Sequence, residues 1–392
     1  MGNIKAITVG LILNSIGNFA IEVEIELNSG AFGIASAPSA IKCGRRERKT
    51  TALIKDQISI HNKQVQRLVG FSGSQKQWDN LLMSHVDSWG TDLTLSLSLA
   101  FARAVAKEEH FSLTNYISQI SCTKKEQSLF CPLIPIFSGG VHAIEFDGSM
   151  QQIMISLQGL PFLEAVCIIR EFYFSFYKTI SQSHYFQGYS ASSGFLTRGL
   201  GVEDEFDILS EAIEKSPFSS HISIAIDVAA EHLKKNDGYM FYNKTISAKE
   251  LESCIQKYVK SYPISYVEDP FDSDDFNNWK SLYMKTRKTV DVFLDDFCAT
   301  QVRYLDPTVA NGVIVKLKQV GTLSDAIELI KKARELNMKI CVSHRSIETE
   351  DTFMCDLGIA ANAEYMKIGG PRSGDRVSKY NRLLRILTLQ NE

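Results

Sequence analysis

The chain has 392 residues, 44% of them hydrophobic and 22% charged, with a formal net charge of −3. That length exceeds one compact core, so a large domain with a smaller companion is expected, and the charge balance offers no basic footprint for nucleic acid or an anionic membrane. No apolar run reaches the length of a membrane span, and the eight scattered cysteines lack any Cys-x-x-Cys pair, which fits reduced thiols and a cytoplasmic setting.

In chain order, residues 5–13 (KAITVGLIL) and 19–30 (FAIEVEIELNSG) predict two strands, the second alternating and closing on an Asn28-Ser29-Gly30 turn. A basic cluster follows at Arg45, Arg46, Arg48 and Lys49, read as a solvated loop or as a surface for an acidic protein partner. Residues 91–107 (TDLTLSLSLAFARAVAK) have no Gly or Pro and predict a buried helix with Thr91 as its N-cap. The polar stretch at 122–128 marks a boundary near 128, dividing a smaller domain, 1–128, from 129–392. Strand-helix alternation in the second part covers about 260 residues, the usual size of a (β/α)8 barrel. Two stretches, 137–155 with His142 and 184–201, interrupt it and are expected as loops on the barrel face.

Six apolar runs in the second part end in chemically able residues: ISIAIDV at Asp227, ISYVEDP at Glu268, VDVFLDD at Asp295, GVIVKLK at Lys316, MKICVSHRS at His344 and EYMKIGG at Lys367. Parallel barrel strands bring such C-terminal ends to one face. A single carboxylate there can cap the next helix, but three on successive strands suit Mg²⁺, which takes a few carboxylates plus substrate oxygens. Alternation places Lys316 and Lys318 on one strand face; burial and neighbouring positive charge would lower the Lys316 ammonium toward a working base. His344, Arg345 and Ser346 offer consecutive donors to an anion, and Lys367 adds positive charge, so a phosphorylated or carboxylated small molecule is the expected ligand.

SYVEDPFDSDDF, FLDDF, KLKQVGTLSDAIELIKKA, SHRSIETEDT and MKIGGPRSGDRVSKYNRLLRI, with LNSIGNFAIEVEIEL, TLSLSLAFARAVA and PIFSGGVHA upstream, closely resemble the enolase (phosphopyruvate hydratase) family over nearly the whole chain. The resemblance implies an α/β fold, an enolase-type ββαα(βα)6 barrel with an N-terminal α+β capping domain. It also implies a homodimer that uses Mg²⁺ to interconvert 2-phosphoglycerate and phosphoenolpyruvate in glycolysis. Carried over by motif, Asp227, Glu268 and Asp295 match metal ligands and Lys316 matches the base, in keeping with the known superfamily pattern of a Lys or His base beside Mg²⁺. Lys367 matches the lysine that steadies the enediolate, Arg345 and Ser346 match phosphate ligands, and His142 and His344 match active-site histidines.

The departures from the family fall on the acid side of the reaction. The glutamate of a Gly-Asp-Glu-Gly-Gly stretch becomes Ser192, preceded by Ala191, and no carboxylate stands between Glu171 and Glu203. The second acid-side glutamate becomes Gln152, or Gln151 in the other register. In the lid, the metal-binding serine becomes Lys42 and the mobile glycine Ala40; elsewhere Ile16 replaces an arginine and Ser138 an asparagine. Neither a glutamine nor a serine donates a proton as a carboxylic acid does. The expectation is therefore an enolase-like protein with one Mg²⁺ site, lacking a ligand for the second, impaired in dehydration and serving a binding or structural role. Two alternatives stand beside it: an active enolase with Glu145 or Asp147 as substitute acid, and an epimerase-type reaction using Lys316 and Lys367 on opposite faces. A further role for Lys42 would place its ammonium where the second metal otherwise sits.

Overall fold

The computed structural model describes residues 2–48, 57–123, 129–142, 149–236 and 238–388. The N-terminal part holds a four-stranded antiparallel sheet of order β3-β2-β1-β4, formed by β1 (Gly2–Leu13), β2 (Phe19–Leu27), β3 (Phe32–Ser36) and β4 (Ser72–Gly73). Alternation in β2 drives Ile21, Val23, Ile25 and Leu27 into the core while Glu22, Glu24 and Glu26 face outward. Helices α1 (Gln57–Val65), α2 (Gln75–Met83), α3 (Val86–Glu108) and α4 (Leu113–Ser121) complete this cap.

Helix α3 is buried almost all round because it runs between the cap sheet and the barrel. A Cβ on Gly33 of β3 would stand 2.1 Å from the Ala100 carbonyl oxygen, so only glycine lets strand and helix lie this close. Thr91 is not the cap expected from sequence. Helical geometry breaks one residue earlier, at Gly90 (φ 74°, ψ 162°), and the Thr91 hydroxyl accepts instead from Lys318 Nζ at 2.6 Å.

The barrel closes through eight strands: β5 (Cys131–Ser138), β6 (Gln152–Leu157), β9 (Ile222–Asp227), β13 (Ile264–Glu268), β14 (Asp291–Leu294), β15 (Gly312–Val315), β16 (Lys339–Ser343) and β17 (Tyr365–Lys367), with β17 pairing back to β5. Only β6 runs antiparallel to its neighbours. Helices α5 (Phe162–Ile180) and α6 (Val202–Glu214) follow β6, which gives the ββαα opening. A short α7 (Ala230–Leu233), a small sheet of β10 (Lys234–Lys235), β11 (Gly238–Phe241) and β12 (Lys244–Ile246), and α8 (Ala248–Ser261) follow β9. Then come α9 (Phe276–Thr286), α10 (Leu317–Val320), α11 (Leu323–Glu335), α12 (Phe353–Ala360) and α13 (Gly374–Thr388); after β14 only a 3-10 turn at Val302–Tyr304 stands where a helix would.

The stretch 184–201 is not simply a loop. It folds into a hairpin of β7 (Phe186–Tyr189) and β8 (Phe195–Thr197), and β8 pairs in parallel with Phe137 and Ser138 of β5. Aromatic packing explains the extension, since Phe195 stacks on Tyr173 of α5 and lies against Phe176 and Tyr189. Of 137–155, the ends of β5 and β6 are barrel strand, and His142 sits in a 3-10 turn at Gly140–His142. Glu145 and Asp147 lie outside the described residues, as does Lys49.

Candidate active site

A plug fills the barrel axis: Cys131 and Leu133, Met154, Ala225, Tyr266, Phe293, Ile314, Cys341 and Tyr365, at least one from every strand. Side chains two apart on a strand share a face, so the next inward position toward the C-terminal mouth is two residues on. Those positions are Asp227, Glu268, Asp295, Lys316, Ser343 and Lys367. On antiparallel β6 the same level lies two residues before Met154, at Gln152, which stands in register with Asp227. A hydrophobic layer thus supports a ring of reactive groups that includes five of the six predicted strand ends; on β16 the ring position is Ser343, and the predicted His344 stands one residue beyond the strand, lining the same cavity.

Within the ring, opposite charges are matched closely. Lys367 Nζ donates to Asp227 Oδ2 at 2.8 Å and to both Glu268 oxygens at 2.9 Å. Asp227 Oδ2 also accepts from Gln151 Nε2 at 3.0 Å, and Glu268 from the Tyr266 hydroxyl at 3.2 Å. Lys316 is paired with Asp295. Burial by itself would lower the Lys316 ammonium, but Asp295 outweighs it and holds the pKa above the ordinary value, opposite to the expectation from sequence. Burial likewise opposes the charge on Lys367, and Asp227 and Glu268 overcome it. Burial pushes Asp295 up, yet Lys316 and Lys367 bring it below its usual range. Glu268 goes the other way, raised far above its ordinary value by burial and then by Asp227.

Lys318 is not a second strand-face lysine. Strand β15 ends at Val315, the chain turns into α10, and Lys318 points toward the cap, 3.2 Å from Asp92 Oδ2 on α3.

The carboxylates exceed the cations that face them. Asp227, Glu268, Asp269, Asp295 and Asp296 are buried around Lys316 and Lys367, and burial raises Asp269 and Asp296 far above their ordinary pKa. Asp269, Asp295 and Asp296 bring carboxylate oxygens within 4.8 Å of one another. Asp269 also accepts from the backbone N–H groups of Asp295 and Asp296, fixing the turn that presents Asp295. An all-oxygen, electron-rich set short of positive charge fits Mg²⁺.

The residues read from sequence as anion ligands line the same cavity. His344, Arg345 and Lys367 are each about 5% exposed or less, and Ser346 stands beside them at the cavity. Arg376, fully buried, donates to the carbonyls of Arg345 at 2.9 Å, Ser346 at 2.7 Å and Ala191 at 3.0 Å, and contacts His344 Nδ1. One guanidinium therefore ties the Ser192 turn to the His344–Ser346 segment. His344 stays neutral, its pKa driven far down by burial and then by Arg376. His142 is held at about 4, again chiefly by burial.

These groups enclose a cavity of about 50 Å³ beneath the loop 38–48, lined also by Ala40, Ile41, Lys42, Glu47 and His232. Lys42 reaches the mouth, and its charge, after burial, keeps the His232 imidazole below its ordinary pKa. Glu47 is the unexpected member: both its oxygens engage Arg345, at 3.0 and 2.9 Å. Two members of the basic cluster are engaged by the barrel side, although Arg45 remains largely exposed. Arg45 binds Asp272 and Asp274, while Arg46 donates to the Phe297 and Ser273 carbonyls and covers Tyr304. Nothing in the sequence pattern singles out Glu47 or His232; Gln151, the acid-side position in the alternative register, is placed against Asp227.

Gln152 and Ser192 both line the cavity and are 3% and 1% exposed. Among the described residues, Gln152 Oε1 and His142 Nδ1 are buried without a hydrogen-bond partner. Two polar atoms orphaned beside one cavity mark a wall built to meet a ligand or water.

A family model for the C-terminal TIM barrel domain of enolase matches residues 126–390. An enolase of Aeropyrum pernix is 34% identical over 404 aligned positions, which cover 96% of this chain and 91% of the relative. With a closed eight-stranded barrel, its ring of carboxylates and lysines and these two matches, the chain belongs to the enolase family.

Proposed function

We propose that this enolase-family protein holds Mg²⁺ and a phosphorylated carboxylate, activates the proton α to the carboxylate, and dehydrates 2-phosphoglycerate poorly or not at all. The observation that carries this reading is the acid-side wall, where Gln152 and Ser192 replace carboxylates. Of the described residues lining the cavity, the acidic ones are Glu47, Asp295 and Asp296. Glu47 is engaged by Arg345, Asp295 by Lys316, and Asp296 lies 3.6 Å from His232 Nε2.

Asp227, Glu268 and Asp295 would hold the metal, which when bound supplies positive charge to the substrate carboxylate as it gains electron density. Lys316 would take the C2 proton only once Asp295, which holds it protonated here, is engaged by the metal instead, and Arg345 and Ser346 would orient the phosphoryl group with His142 and His344 beside it. Lys367, set between Asp227 and Glu268, offers a positive charge to the substrate carboxylate. Cytoplasmic location, a homodimer and a binding or structural role, with a protein partner, complete the proposal. No described helix is long and apolar enough to cross a membrane.

The test is incubation with Mg²⁺ and 2-phosphoglycerate in D₂O, following phosphoenolpyruvate formation and C2 hydrogen exchange together. Exchange well in excess of dehydration is expected. Turnover keeping pace with exchange would overturn the reading and direct attention to Glu145 or Asp147 as acid.

A further inference from the structure

Both residues read as anion ligands are already occupied by the loop that covers them. Glu47 meets the two terminal nitrogens of Arg345 in a bidentate pair, with both side chains 5% exposed. Six residues earlier, the Ile41 N–H donates to Ser346 Oγ at 3.0 Å. A carboxylate that engages the planar fork of a guanidinium takes the donors that a phosphate or a second carboxylate would use.

The loop is fastened on both sides of this contact. Ser39 and Ile347 exchange two backbone hydrogen bonds, at 2.8 and 3.1 Å. Gly44 packs so closely on Asp296 that a Cβ there would stand 2.7 Å from its Oδ1. Beyond it, Arg45 binds Asp272 at 2.7 Å, and Arg46 binds the Phe297 carbonyl at 2.6 Å with its guanidinium 4.3 Å from the Tyr304 ring centre. Gln319 spans the inner side, donating to Glu47 at 3.2 Å and to Asp295 at 3.5 Å, so Glu47 is linked to the metal-side carboxylates as well.

We propose that Glu47 is an internal ligand of the anion site and that the loop 38–48 is a self-inhibitory latch, which a phosphorylated ligand must displace from Arg345 and Ser346 in order to bind. This rests on the reading of those two residues as the anion site. The latched form does not bind the anion, so apparent affinity is reduced by the fraction of molecules in which the latch is open. Weakening the latch at either end raises that fraction. The structure distinguishes the two ends: Glu47 touches the anion site, whereas Arg46 anchors the loop away from it.

The test uses the full chain and two variants, Glu47→Gln and Arg46→Ala, with inorganic phosphate and 2-phosphoglycerate as probes in titration calorimetry with Mg²⁺ present. Amide hydrogen exchange over residues 38–48 is followed in parallel without ligand. Both variants are expected to bind the probes about tenfold more tightly than the parent and to exchange faster across the loop. Weaker binding by Glu47→Gln, with loop exchange unchanged, would overturn the proposal and make Glu47 a residue that orients Arg345. If no form binds either probe, the anion-site reading fails, and hydrogen exchange alone decides the latch: faster exchange in both variants supports it, unchanged exchange overturns it.

Discussion

Restoring the acid side is the most direct perturbation, and the double substitution Gln152→Glu with Ser192→Glu does so. Gln152 is 3% exposed and stands in register with Asp227 across the β6–β9 pair, so a glutamate there enters a dry site beside an existing negative charge. Both effects favour the protonated carboxyl, as they do at Glu268, where burial and Asp227 raise the pKa far above the ordinary value. A carboxyl kept protonated near neutral pH is what a general acid requires, and general acid catalysis contributes about 10²- to 10⁴-fold, or roughly 3 to 5 kcal/mol of barrier. Dehydration of 2-phosphoglycerate should therefore rise by about two orders of magnitude or more while C2 exchange changes little. The assay is phosphoenolpyruvate absorbance beside mass-resolved deuterium uptake, with circular dichroism to check folding. A folded double variant that exchanges C2 hydrogen yet dehydrates no faster than the parent would refute the reasoning, and would shift the defect to the Lys42-bearing lid.

Three further outcomes follow from the ion pairs and buried acids. Lys316→Met should abolish C2 exchange, a loss of at least about 10²-fold, with phosphate binding at Arg345 retained in calorimetry. Lys318→Met strands the Asp92 carboxylate between α3 and α10 and should cost about 3–5 kcal/mol, read from the urea midpoint; adding Asp92→Asn should recover most of it. Asp79, fully buried, has its carboxyl raised from 3.8 to about 6 by burial, despite hydrogen bonds from Gln75 and the Ser324 N–H. Because the folded pKa exceeds the unfolded one, its contribution is greatest below about pH 4 and is lost as pH rises through 6. The stability difference between the parent and Asp79→Asn should therefore fall by about 2 kcal/mol from pH 4 to pH 7, and a flat difference in urea melts would contradict it.

The reactive ring was legible because two periodicities coincide. Strand alternation places Glu268 two residues beyond Tyr266 and Lys367 two beyond Tyr365, and parallel pairing brings their C-terminal ends to one mouth. Family motifs then gave roles to residues that spacing could only align. What escaped the sequence depends on contacts between distant segments. Glu47 reads as one acid in a basic cluster, yet its partner Arg345 lies 298 residues away. Lys318 looked like a strand-face residue because nothing local shows that β15 stops at Val315, and the buried Asp92 that holds it is on the cap. The hairpin at 186–197 was hidden by short, glycine-interrupted strands whose stability comes from packing against α5 rather than from their own propensity.

Those distant contacts also determine how loss-of-function variants at this site can be interpreted. Each reactive cation has an internal carboxylate: Lys316 has Asp295, Lys367 has Asp227 and Glu268, and Arg345 has Glu47. On the proposed reading, a ligand that binds here exchanges ion pairs instead of filling an empty charge. Removing one member of a buried pair leaves the other uncompensated, so a single neutral substitution perturbs folding as well as chemistry. Lys367→Met, for example, leaves two adjacent carboxylates, one already raised far above its ordinary pKa, with no ammonium between them. Lost activity in that variant would not identify Lys367 as part of the reaction. A neutralised pair such as Lys316→Met with Asp295→Asn keeps the local charge balanced; C2 exchange that stays absent there, with the unfolding midpoint restored, separates the base from the brace.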